Sequence, residues 1–98
     1  MTQSYIDALA DDIRSRVPTE LVPDDSRELF LIYASLGLAK RERVDARDVH
    51  NAWAAWMAAR DPAHDSIKPY DELDADTREE DGPFVRAIRE AMRAQRDE

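Results

Sequence analysis

The chain of 98 residues contains no cysteine. Disulfide scaffolds and cysteine-based zinc sites are therefore excluded. It has two glycines, Gly37 and Gly82, and no tract of alternating β-branched residues. A sheet protein with many tight turns is disfavoured on both counts. No Gly-rich phosphate loop occurs. The opening stretch MTQSYIDALADDIR lacks the apolar run of about 7–15 residues that a secretory signal needs. No run long enough to span a membrane follows. The expectation is a soluble, cytoplasmic protein. Positive charge is also short: 14 Lys and Arg stand against 22 Asp and Glu, a net charge of −8. Phosphate backbones and anionic lipids repel such a chain, so neither a nucleic-acid nor a membrane partner is expected.

What is present favours helix. Ala and Arg are abundant, and both are good helix formers. Apolar residues make up 43% and charged residues 37%, enough for one modest core with wet outer faces. The length fits a single domain. Apolar spacing predicts an all-α bundle of about four helices. The first covers about residues 4–16, with Ile6, Leu9 and Ile13 inward and Pro18 as its stop. Leu21 and Val22 are expected to pin the following connector to the core. The second starts near Asp25 or Ser26 and runs to about Lys40. Its stretch LFLIYASLGLA is almost wholly apolar, so it is the central buried helix.

The third helix has the clearest start. Asp45 is a capping residue, Asp48 complements the helix start, and Val44 and Val49 have the spacing of a hydrophobic staple. It should run from Ala46 to about Arg60. An ordered loop at 61–73 follows, anchored by Ile67, Pro69, Tyr70 and Leu73. A short helical turn is expected at about 74–80. A last helix follows Asp81-Gly82-Pro83, with Phe84, Val85, Ile88, Ala91 and Met92 inward. The final few residues should fray.

Trp53 and Trp56 are the residues of greatest functional interest. Indoles are large apolar groups with one N–H that wants a partner. They serve either as core or as the stacking wall for a flat ligand. The two lie three apart on a helix and so point about 60° from each other; one can be core while the other lines a groove. His50 lies on the same stripe. The two histidines are fourteen apart, a weak pattern for zinc. Residues 61–81 hold nine acids against two bases, a local −7. Their spacing fails the calcium-loop pattern, which needs a central Gly. A solvated or protein-docking face is expected, with Asp71, Glu72, Asp74 and Asp76 as its interaction residues. No nucleophile–base set stands out, so no enzyme and no cofactor are expected. A helix-turn-helix reading of the second and third helices fails on the net charge and on the Trp- and Ala-rich face.

The C-terminal half carries VHNAWA at Val49–Ala54, then His64, IKPYDEL at Ile67–Leu73, and an acid–base run ending at Asp81. In this it resembles the ryanodine-receptor-type repeat over about residues 49–93. The resemblance divides the chain into an N-terminal helical pair, 1–45, and a repeat-like part, 46–95. It implies a small, non-enzymatic, mostly helical module that recognises a nucleotide-like ligand in a bacterial or phage conflict setting. Trp53 would be the stacking residue, with His50, Pro69 and Tyr70 shaping the site. Trp56, which has no counterpart in that family, would add to a site of this kind, with Arg41, Arg43 or Arg86 on a phosphate. The channel pocket is built by a pair of repeats, so a homodimer would restore a two-sided site. The loop after the tryptophan helix lacks the family's Gly-Trp-x-Tyr-Gly element. The whole chain is also similar in type to small proteins of actinobacteria and their phages. The competing expectation is an acidic interaction domain that docks on a basic host-protein surface.

Overall fold

The computed structural model describes residues 4–96. They form four main helices and one short one: α1 (Tyr5–Ser15), α2 (Arg27–Lys40), α3 (Ala46–Arg60), α4 (Ala75–Glu79) and α5 (Gly82–Arg96). Single 3-10 turns lie at Thr19–Leu21, Arg41–Arg43 and Tyr70–Glu72. The fold is all-α. The expected fraying falls partly on Asp97 and Glu98, which lie outside the described residues.

Local chemistry fixes the helix starts. A free helix N-terminus leaves several N–H groups without partners. At α1, the Ser4 hydroxyl accepts from the Asp7 N–H (3.1 Å), and the Asp7 carboxylate accepts from the Ser4 N–H (3.3 Å). At α3 the same reciprocal pair forms between Asp45 and Asp48, at 2.9 and 3.1 Å. Val44 and Val49, on either side, are fully buried. Replacing Asp45 by Ala should cost about 1 kcal/mol of stability. Urea denaturation reads this directly; an unchanged midpoint would mean that the valine staple alone sets the helix start. Ser26 stands at the cap position of α2 but makes no capping bond. It is buried instead.

Helix α2 is the centre of the core. Leu29, Phe30 and Tyr33 are almost completely buried, and they pack with Leu9 and Ile13 of α1, Val49 and Trp56 of α3, and Val85, Ile88 and Met92 of α5. Each such side chain is worth about 1.5–3 kcal/mol of hydrophobic burial. Gly37 makes the α2–α5 approach close. A Cβ there would stand 3.0 Å from Met92 Cε and 3.2 Å from Ile88 Cγ2. The turn from α2 to α3 puts Arg41 in the left-handed region (φ 57°). Arg89 of α5 then donates from Nε to the Val44 carbonyl at 2.7 Å, tying that turn to the last helix.

One apolar expectation is corrected. Val22 packs against the core, but Leu21 is 44% exposed. The 3-10 turn holds Leu21 at the rim of a cavity rather than inside the bundle.

Candidate functional site

A cavity of about 370 Å³ opens between α2, α3 and the start of α5, and residues 61–81 cover part of it. Sites for small molecules occupy about 300–1,000 Å³, so this one is compact. Leu29 and Tyr33 come from α2, His50 and Trp53 from α3, and Pro83 and Phe84 from α5. His64, Ser66, Thr77, Glu80 and Asp81 come from the connection, with Leu21 and Pro23 at the edge.

Aromatic rings make up much of the wall. His50 and Trp53 are stacked at 5.8 Å between ring centroids. His64 meets Trp53 edge-on at 5.1 Å. Tyr33 and Phe84 face each other at 5.8 Å, backed by Phe30. Hydrogen bonds fix both imidazoles. His50 is buried, and its Nε2 lies 2.7 Å from the Lys68 carbonyl oxygen. A carbonyl only accepts, so Nε2 carries the proton and donates. Nδ1 of His64 accepts the Ser66 N–H at 3.1 Å, which leaves its Nε2 as the protonated nitrogen.

Asp81 is the most unusual group on the wall. It directly precedes α5, yet its side chain caps nothing. Pro83, second in the helix, has no N–H to give. The Phe84 and Val85 N–H groups are already bonded to the Asp81 main-chain oxygen, at 3.1 and 3.0 Å. Its Oδ2 is sealed from solvent with no hydrogen-bond partner among the described residues. Desolvation pushes its carboxyl up to about 6. His50 pulls the other way, and Glu80 adds to the rise. Tyr33 is 1% exposed, and burial, with the Asp81 charge nearby, pushes its phenol well above its ordinary value.

The predicted site residues divide. His50 and Trp53 meet in the cavity. Trp56 does not: it is 5% exposed and sits in the core, with the Arg60 guanidinium 4.5 Å from its ring centroid. Its Nε1 is sealed without a partner. Tyr70 lies behind His50 (6.2 Å between centroids), with the Arg47 and Arg78 guanidiniums against its ring. Pro69 is exposed beside it and does not line the cavity. Arg86 is exposed, and its Nη1 lies back along its own helix toward Gly82.

The proposed acidic face is partly occupied. Asp71 pairs with Arg47 at 2.7 Å, and that hydrogen bond holds its carboxyl below the ordinary range. Asp74 caps α4 by accepting the Thr77 N–H at 2.8 Å, which lowers its carboxyl likewise. Glu72 and Asp76 remain exposed. Among the described residues no group of three or more His, Asp or Glu side chains is placed to hold a metal ion, and no helix is long and apolar enough to cross a membrane.

Fold and cavity together define a small all-α domain with a compact, aromatic-lined cavity beside its core. The chain belongs to the family described as "Domain of unknown function (DUF7701)", which matches residues 4–93. No curated protein and no solved structure matches it. The family match corrects the ryanodine-receptor resemblance, because no repeat of that type matches the chain. The packing gives the physical reason. Residues 49–93 share one core with the helices before them: Ile88 and Met92 close on Gly37 of α2, and the α2–α3 turn is held by α5.

Proposed function

We propose that the protein is a non-enzymatic binding module whose cavity takes a small ligand with a flat, apolar, nucleobase-sized body. One observation carries this: Trp53, half-buried on α3, presents its indole to a cavity that Tyr33 and Phe84 bound from the other side. Flat ligands gain stacking energy on such walls. Hydroxyls of Ser66 and Thr77 and the protonated Nε2 of His64 supply polar contacts at the rim. No Lys or Arg lines the cavity. The phosphates of a nucleotide-like ligand would therefore lie outside it, with only the base inside. A docking role on a basic surface has less support, since two of its four carboxylates already serve inside the fold.

Nuclear magnetic resonance tests this with adenosine, indole and tryptamine as probes. The Trp53 indole N–H should shift on titration, while that of Trp56 should stay in place. Trp53→Ala should weaken binding by about tenfold, the worth of one stacked ring. Silence of the Trp53 signal at millimolar probe would sink the proposal.

A further inference from the structure

Three features of the cavity bear on the charge of its occupant. The Asp81 carboxylate receives no hydrogen bond from any described residue, and one of its oxygens is sealed from solvent. Asp81 lines the cavity, so an occupant meets the carboxylate on its unsealed side. The Tyr33 hydroxyl, on a side chain 1% exposed, also lacks a hydrogen-bond partner among the described residues and lies on the cavity lining. Finally, Glu80 adds a second carboxylate to a wall that holds no Lys or Arg. His50 donates to the Lys68 carbonyl and His64 accepts from the Ser66 N–H, so neither bonds Asp81 and its hydrogen-bond partner is left to the occupant.

We infer that the cavity selects an organic cation, an ammonium carried on a flat aromatic body, with the ammonium on the Asp81 carboxylate between the Tyr33, Trp53 and Phe84 rings. This inference rests on the binding reading above and adds the charge class of the ligand. Aromatic faces attract ammonium groups through the ring quadrupole. A carboxylate and an ammonium form a charge-assisted hydrogen bond about twice as strong as a neutral one. The connection over the cavity carries nine acids and two bases, so its field draws cations toward the mouth and turns anions away.

Isothermal titration calorimetry at mildly alkaline pH tests it on the full chain with three probes that share one indole body: tryptamine (cationic), tryptophol (neutral) and indole-3-acetate (anionic). Tryptamine should bind about tenfold tighter than tryptophol, the worth of one charged hydrogen bond. Indole-3-acetate should bind more weakly than both. In the Asp81→Asn protein, shown folded by circular dichroism, the three affinities should converge. Equal binding of the three by the unaltered protein, or a preference for the anion, overturns the charge class and leaves the binding reading standing. A tryptamine preference that survives Asp81→Asn overturns the anchor. Binding of none of the three ends both.

Discussion

Phe30→Ala should destabilise the protein by about 3–5 kcal/mol, the range for deleting a buried aromatic ring. Phe30 is 1% exposed at the centre of α2. Its ring meets Tyr33 edge-on at 5.6 Å and Phe84 at 6.4 Å. Truncation removes both contacts and leaves a void in the core. A domain of this size has only about 5–15 kcal/mol in total. The melting temperature should therefore fall by about 12–40 °C, at some 4–8 °C per kcal/mol. Thermal melts followed by circular dichroism measure it. A loss under about 1 kcal/mol would mean that the core repacks around the void. The effect reaches the cavity, because Phe30 backs the two rings that form one of its walls. Loss of probe binding should accompany loss of stability in this variant. In Trp53→Ala, binding should fall with far less damage to the fold.

Asp81→Asn should do the opposite and stabilise the protein, by an amount that grows from about pH 4 and is complete above about pH 6. The unfolded chain releases this proton near the ordinary aspartate value of 3.8, and the folded chain holds it until about 6. Between those values the folded state binds more protons, so stability attributable to this group falls as pH rises. Above pH 6 the full cost of an ionised, partly desolvated carboxylate is present. Asp81 is partly exposed, so solvent screening cuts the cost that the bare shift implies to about 1–2 kcal/mol. Asn cannot ionise and avoids it. Urea denaturation of both proteins at a series of pH values tests this: the curves should coincide near pH 4 and separate to a plateau above pH 6. Curves that stay parallel throughout would refute it. The same substitution should erase the preference for a cation, so the group that weakens the empty protein is the one proposed to hold its ligand.

The sequence shows the helices more plainly than the cavity. The start of α3 is legible because its signal is local: Asp45, Asp48, Val44 and Val49 act within five residues of one another. Its observed span, Ala46–Arg60, is the one that spacing predicts. The cavity is assembled from distant positions, and no spacing along the chain encodes that. Tyr33 reads as one more apolar residue on a buried helix. Asp81 is one of nine acids in its segment, and nothing local sets it apart. Phe84 reads as the inner face of α5. The two tryptophans show the limit best. Both sit on the apolar side of α3, and their 60° separation alone does not say which of them α2 and α5 enclose. Packing buries Trp56 and leaves Trp53 to the cavity.

The connection from 61 to 81 has a kinetic consequence. Leu73 is its one buried residue. Its other ties to the bundle are few: the Lys68 carbonyl on His50, the Arg47–Asp71 pair, and the His64 and Tyr70 rings against Trp53 and His50. A segment held this way opens at a lower free energy than the whole domain unfolds. It can lift while α1, α2 and α5 keep their packing. A ligand held there as proposed would exchange at a rate set by that lifting, and its residence time would be a property of Leu73 and the two arginines beside Tyr70, none of which lines the cavity.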